Sequence, residues 1–313
     1  MNTLSPMLAK VGSEPFDDDS YYFEYKYDGV RALFIADREA EKEEDQLKLI
    51  GRNGTNYLPQ FPELWEGLGA LKADKVILDG EILCLDKNGK SNFQGIQTRV
   101  HRKYDIEAGR KENPVFFFAF DLLQVGEQNL TSEGLRASAL LRKQFIPKTL
   151  DQDGLMFISP HTENCGIETY EKAMTDGEEG IIAKYKGGLY YPGKRRNDWL
   201  KIKGTKEDTF RVVGYTKGTG KRENTFGALI LSNLNQDFYV GCVGTGFDDS
   251  QLESLYKLFT VVPHREEPYF EVPYDIRKDA VWLSNPFKAD IKYQSFTDDI
   301  MLRFPVFLRL RNE

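Results

Sequence analysis

Hydrophobic and polar residues alternate in several short segments of the first two-thirds of the chain, a pattern typical of half-buried β-strands. These segments are YFEYKY (22–27), VRALFIA (30–36), KVILDGEILCLD (75–86), VFFFAFDLL (115–123), EGIIAKY (179–185) and DWLKIK (198–203). Apolar residues recur at helical spacing in FPELWEGLGALKA (61–73), SEGLRASALLRKQF (132–145) and ETYEKAMTDG (168–177). Ser132 is the expected N-cap of the second helix, and Gly177 is expected to end the third.

The pattern changes after residue 206. FRVVGYTKGTG (210–220), FGALILSNL (226–234) and DFYVGCVGTGF (237–247) are predicted strands separated by glycine-rich turns, and DDSQLESLYKLF (248–259) is a predicted helix. Several short strands with one helix favour a small β-barrel of the OB-fold type. We therefore expect an α+β domain rich in antiparallel strands at 1–206 and an OB-fold domain at 207–313.

Composition narrows the possible functions. The 313-residue chain has a net charge of −7, so binding of a nucleic acid would need a local basic surface. One such stretch runs from Lys184 to Lys206, where Asp198 is the only acidic residue. The three cysteines form no C-x-x-C pair, which argues against structural zinc and disulfides and fits a reducing cytoplasm. No apolar segment is long enough to span a membrane.

A lysine with reactive potential lies in FEYKYDGVRALF (23–34). Alternation places Glu24, Lys26 and Asp28 on one face of a strand, and Asp28-Gly29 predicts a tight hairpin turn to the next strand. An ordinary surface hairpin with one polar face explains this segment equally well when the segment is taken alone. A nucleophilic lysine must lose its proton, which nearby cations, a metal ion or desolvation would favour.

Residues that would meet this requirement follow in order along the chain. Each has an ordinary structural explanation by itself, since Phe120 suits a hydrophobic core and Lys201 and Lys203 suit a solvated strand face. The set comprises Arg52 in GRNG, Asp79 and Glu81 in LDGEIL, Phe120 and Asp121 in FFFAFDLL, Glu179 and Lys184 in EEGIIAKY, and Lys201 and Lys203 in DWLKIK. The interpretation therefore rests on the whole ordered set.

This ordered set resembles the covalent nucleotidyltransferases, which comprise DNA ligases, RNA ligases and mRNA capping enzymes. Their K-x-D-G-x-R motif corresponds to KYDGVR (26–31), and AFDLL and WLKIK resemble the segments of DNA ligases more than those of capping enzymes. VGCVGTGF, VWLSNP and LRFPVFLRLR resemble the OB domain of bacterial ATP-dependent ligases of the end-joining type. The lack of a cysteine zinc module in this chain favours ATP over NAD as the nucleotide source.

The resemblance implies a role for most residues of the set, beginning with Lys26, which would carry AMP as a phosphoramidate. Glu24 and Phe120 would contact adenine, Arg31 and Glu81 would contact the ribose, and Arg52 would help to hold the nucleotide. The α-phosphate would be bound by Lys184, Lys201 and Lys203, and a divalent metal by Glu179 and Glu81. The DNA backbone would be bound by Lys194, Arg195 and Arg196. The implied cofactors are ATP and either Mg²⁺ or Mn²⁺.

The implied partner is nicked duplex DNA, with a DNA-end-binding protein of end joining as a further candidate, and the protein is expected to be a cytoplasmic monomer. An RNA ligase and a capping guanylyltransferase share the lysine and remain alternatives, as does a non-catalytic nucleic-acid-binding relative. Many family members also carry an R-x-D-K motif at the end of the OB domain. Arg311 and Glu313 would correspond to its arginine and aspartate, and its lysine would lie beyond the last residue.

Overall fold

Two compact units make up the chain, Met1–Gly204 and Thr205–Glu313, and their division lies close to the boundary expected after residue 206. The computed structural model describes residues 5–152, 154–235, 237–297 and 299–311, so Glu313 lies outside the described residues. Each unit has a hydrophobic core of its own. None of the described helices is long and apolar enough to cross a membrane.

The first unit consists of two β-sheets and the helices that pack on them. Its described strands are β1 (Leu8–Val11), β2 (Tyr21–Tyr25), β3 (Val30–Asp37), β4 (Leu47–Gly51), β5 (Lys75–Cys84), β6 (Val115–Val125), β7 (Gln128–Asn129), β8 (Met156–Ile158), β9 (His161–Glu163), β10 (Gly180–Tyr185) and β11 (Arg195–Lys203). Its described α-helices are α1 (Glu43–Gln46), α2 (Phe93–His101), α3 (Ile106–Glu112), α4 (Ala139–Thr149) and α5 (Gly166–Asp176), and Pro62–Ala70 forms a 3₁₀ helix.

Alternation along the strands builds the core of the first unit. One sheet has the strand order β1-β11-β10-β2-β9, and the other has the order β4-β3-β5-β6-β7 with β8 beside β6. Leu33 on β3, Leu123 on β6 and Trp199 on β11 belong to one buried cluster, so side chains of the two sheets meet. Ala32 and Phe34 point to the opposite face of β3 and join a larger core.

The predicted hairpin at Asp28-Gly29 is wrong. β2 pairs with β9 and β10 in one sheet, whereas β3 pairs with β4 and β5 in the other. β2 ends at Tyr25, and the backbone N–H of Lys26 donates to the Gly180 carbonyl at 2.8 Å. A Cβ at Gly29 would lie only 2.4 Å from Leu83 Cδ2, so this glycine permits a close approach. Asp28-Gly29 therefore lies where the chain crosses from one sheet to the other, and Lys26 lies just before this crossing.

The helix predicted from Ser132 begins later than expected. Ser138 is the N-cap of α4, and its side chain accepts a hydrogen bond from the Leu141 N–H at 3.3 Å. Arg136 has a φ of 55°, and this left-handed conformation interrupts any right-handed helix that starts at Ser132. The prediction for Gly177 is confirmed, because it ends α5 with a φ of 83°.

The second unit is a curled antiparallel sheet with one long helix packed on it. Its described elements are β12 (Lys206–Lys217), β13 (Phe226–Ser232), β14 (Tyr239–Val243), α6 (Asp249–Val261), β15 (His264–Arg265), α7 (Tyr274–Arg277), β16 (Ala280–Tyr293), β17 (Ser295–Phe296), β18 (Leu302–Arg303) and β19 (Val306–Leu310). The long strand β16 pairs with β15 near its start and with β19 near its end. Phe259 of α6 is fully buried in the core of this sheet.

Candidate active site

A cleft of about 240 Å³ in the first unit takes its walls from both sheets. The residues predicted from the sequence that line it are Glu24, Lys26, Arg31, Arg52, Glu81, Phe120, Lys184, Arg195 and Lys201. The remaining lining residues are Leu8, Ala9, Tyr25, Tyr27, Ile182 and Trp199. The fold thus brings most of the ordered set into one cavity, although its members are dispersed over most of the first unit.

Lys26 lies among charged groups at this cleft. Its ammonium group forms an ion pair with Glu179, which also pairs with Lys203. Burial raises the pKa of Glu179, but the attraction of the two lysines outweighs burial and leaves the pKa below its usual value. Lys201 lies on the same strand as Lys203, and its pKa is lowered by burial and by repulsion from Lys203 and Lys26. Lys26 therefore shares this part of the cleft with two other lysines, Lys201 and Lys203, and with Glu179.

Glu81 on β5 is a second acidic group of the cleft. Burial raises its pKa to about 8, although Lys26 and Arg31 attract its negative charge. Arg31 itself forms a two-pronged hydrogen-bonded ion pair with Asp79, at 2.9 and 2.6 Å. The Tyr190 hydroxyl donates to the same carboxylate at 2.7 Å. The sequence pattern placed Asp79 in the ordered set without a role and did not predict Tyr190. In the structure Asp79 holds Arg31, and Tyr190 holds Asp79.

Glu24 occupies a buried cluster with two lysines. Lys143 contacts one of its carboxylate oxygens, and Lys184 contacts the other at 2.6 Å. The Lys184 ammonium also donates to the Phe120 carbonyl at 3.0 Å and lies 4.5 Å from the centre of that ring. The centre of the Trp199 ring is 4.4 Å from the same ammonium group. Lys184 therefore connects two other predicted residues, Glu24 and Phe120.

The exposed basic turn at the start of β11 divides into two parts. Arg195 lines the cleft and donates to the Ala9 carbonyl. Arg196 pairs with Asp198 at 3.1 Å and is not among the residues that line the cleft, nor is Lys194. Of the three residues predicted to bind DNA, Arg195 therefore lies with the nucleotide-binding candidates.

Lys143 was not predicted, because no apolar pattern in the sequence marks the face of α4 on which it lies. Two of the four buried residues on this face, Ala139, Arg142, Lys143 and Ile146, are charged, so only the structure identifies the face as buried. A charged residue at such a position needs a buried partner. Arg142 meets Asp121 at 2.7 Å, and Lys143 meets Glu24.

Comparisons with known proteins agree with this architecture. Residues 6–203 match the model of the ATP dependent DNA ligase domain, and residues 222–313 match that of the ATP dependent DNA ligase C terminal region. A DNA ligase of Haloarcula marismortui is 32% identical over 99% of this chain and 55% of its own length. The multifunctional non-homologous end joining protein LigD of Mycolicibacterium smegmatis is 28% identical over 98% of this chain and 38% of its own length. The chain thus spans about half, or less, of these curated relatives.

Solved structures show the same two-domain fold. The ligase domain of LigD from M. tuberculosis is 26% identical, with a TM-score of 0.56 over 98% of this chain and 95% of that chain. A Lig E DNA ligase is 20% identical, with a TM-score of 0.63 over 98% of this chain and 99% of that chain. The expected nucleotidyltransferase and OB folds are confirmed by these likenesses. With both family models matched along its length, the chain belongs to the ATP-dependent DNA ligase family.

Proposed function

We propose that this protein is an ATP-dependent DNA ligase that joins a 5′-phosphate to a 3′-hydroxyl in duplex DNA through a lysyl-AMP intermediate. The observation that carries the proposal is the position of Lys26, which lines the cleft together with Lys201 and contacts Glu179, itself paired with Lys203. Positive charges at this point would stabilise the negative charge that develops on the phosphate oxygens during attack.

The reaction would begin at Lys26, whose side chain contacts Glu179, a residue that also pairs with Lys203. The amine of Lys26 would form a nitrogen–phosphorus bond to the α-phosphate of ATP as the bond to pyrophosphate breaks. AMP would then move to the 5′-phosphate of the break, and the 3′-hydroxyl would displace it.

A divalent metal fits two acidic groups, Glu81, which lines the cleft, and Glu179, which contacts Lys26. Glu179 and Glu81 interact electrostatically, and a pair of carboxylates together with nucleotide phosphates is a ligand set that Mg²⁺ commonly uses. Among the described residues no group of three or more histidine, cysteine, aspartate or glutamate side chains could hold a metal alone. Mg²⁺ or Mn²⁺ bound by these two glutamates would stabilise charge on the leaving pyrophosphate.

The cleft residues suit a nucleotide in further ways. Glu24 and Phe120 would contact adenine, Arg31 and Glu81 the ribose, and Arg52 the rest of the nucleotide. In this assignment Lys184, Lys201 and Lys203 would contact the α-phosphate. All of these residues except Lys203 line the same cavity, and Lys203 pairs with Glu179, which contacts Lys26.

The DNA partner would be bound through local charge. Lys194, Arg195 and Arg196 are exposed, and such residues typically contact the phosphate backbone. We also propose a monomer in the cytoplasm, with a DNA-end-binding protein of end joining as a candidate partner. The similarity to LigD, a protein named for end joining, supports that candidate.

Sealing of a defined break tests the proposed activity. With ATP and Mg²⁺, the protein should join a nicked DNA duplex that carries a 5′-phosphate, whereas Lys26→Ala should not. Duplexes with RNA on either side of the nick, and reactions with GTP or NAD, test the alternatives. Sealing of RNA alone, or reaction with GTP alone, would contradict the assignment.

A further inference from the structure

The buried cluster around Glu24 holds more positive than negative charge. Glu24, Lys143 and Lys184 are 2%, 3% and 1% exposed, respectively. The neighbouring Arg142 and Asp121 form their own ion pair. One carboxylate therefore faces two ammonium groups in a site from which water is largely excluded, where such contacts are strong.

The two lysines of this cluster occupy different positions. Lys184 lines the cleft, whereas Lys143 is not among the residues that line it. Lys143 donates hydrogen bonds to the Glu24 carboxylate and to the Ser159 carbonyl, the latter at 2.6 Å. Its ammonium group is thus directed at protein groups and not at the cleft. Because Lys143 comes from α4 and Glu24 from β2, the contact also fixes one element against the other.

We propose that Lys143 is a positioning residue for base selection, which holds the Glu24 carboxylate in place at the cleft to accept a hydrogen bond from the 6-amino group of adenine. This inference rests on the proposed function, in which Glu24 contacts the base. An ionised carboxylate only accepts hydrogen bonds. Guanine in the same orientation presents a carbonyl oxygen at this position, which the carboxylate repels.

Without Lys143, Glu24 would keep its ion pair with Lys184 but lose the contact that holds its other oxygen. A carboxylate held at one oxygen is free to rotate about that contact. Such a rotation would remove the acceptor for the amino group. Lys184 would also be drawn more strongly to Glu24 and would be less available to the nucleotide.

The test compares binding of ATP and GTP by the full chain, measured by equilibrium titration in the Lys26→Ala background so that no covalent product forms. Lys143→Met should weaken ATP binding by about 10- to 100-fold, the usual effect of losing a charge-assisted hydrogen bond, and GTP binding much less. Lys143→Arg, which keeps the cation, should retain most of the preference. Lys148→Met, the same change at an exposed position of α4, should leave the preference for ATP over GTP unchanged.

A second pair of variants separates positioning from a general effect on the fold. If Lys143 acts through Glu24, adding Lys143→Met to Glu24→Gln should change ATP binding no further. This double variant also removes both charges, so it keeps the test available if Lys143→Met alone does not fold. Equal losses for ATP and GTP, or additive losses in the double variant, would overturn the inference. Failure of the parent protein to bind ATP would instead contradict the proposed function.

Discussion

At the scale of single residues, Glu81 is expected to change its protonation near neutral pH. Its usual pKa is 4.5, and burial raises the value to about 8 in the folded protein. Between these values the folded state binds more protons than the unfolded state, so the free energy of unfolding should fall as pH rises and level off above about 8.

Glu81→Gln removes this ionisable group and should remove its share of the pH dependence. Thermal unfolding of both proteins from about pH 4 to about pH 9 would show the variant gaining stability relative to the parent through this range. Glu133→Gln, at an exposed position, serves as the control. A difference between Glu81→Gln and the parent that stays constant with pH would contradict the raised pKa.

The reactive residues were easier to predict than the residues that hold them. Lys26, Glu81 and Phe120 lie in short motifs whose order along the chain is informative. Asp79 holds Arg31 from 48 positions away, and Lys143 holds Glu24 from 119 positions away. No local pattern pairs residues at such separations, because the contacts form only when the sheets and α4 come together.

At the scale of elements, the crossing between the sheets determines where Lys26 lies. Alternation predicted β2 and β3 as strands, and both are present. The turn signal of Asp28-Gly29 could not show which strands would pair, since a sharp bend serves a hairpin and a change of sheet equally well. The same limit applies to Ser132, a plausible N-cap whose helix is interrupted by the left-handed Arg136.

Gly29→Ala tests the tight packing at this crossing. The added Cβ would lie 2.5 Å from the Ile82 carbonyl oxygen and 2.8 Å from Glu81 Cγ, so the backbone must shift. We expect a loss of about 1–3 kcal/mol in the free energy of unfolding. Denaturant unfolding provides the measurement, and labelling by ATP should fall because Glu81 is displaced.

Gly69→Ala is the matched control for this substitution. A Cβ at Gly69 has no atom within 4 Å, and the residue does not have a positive φ. Its stability should change little, because the new methyl group meets no obstacle. Equal stability of the Gly29 and Gly69 variants would show that the crossing tolerates a side chain.

At the scale of the whole molecule, charge is unevenly distributed along a chain with a net charge of −7. The structure divides into two units after Gly204, and the sequence pattern changes near residue 206. Charge alone could not assign the basic stretch to a partner. In the structure Arg195 lines the cleft, whereas Lys194 and Arg196 are exposed outside its lining.

Lys194→Ala and Arg196→Ala should therefore weaken DNA binding without altering nucleotide binding. Each lost phosphate contact should reduce the slope of log affinity against log salt by about 1. Titration of nicked DNA at several salt concentrations measures this slope. Arg195→Ala should weaken binding of both DNA and nucleotide. If the salt dependence of DNA affinity is unchanged in Lys194→Ala and Arg196→Ala, these two residues do not contact the DNA backbone.

The most direct test of the central claim is covalent labelling of Lys26. The protein, stripped of any bound AMP with pyrophosphate, is mixed with ATP labelled at the α-phosphate and a divalent metal, and then denatured. We predict acid-labile label on the parent protein, none on Lys26→Ala, and none from labelled GTP or NAD. Label that persists in Lys26→Ala, or no label on the parent protein, would contradict the lysyl-AMP mechanism.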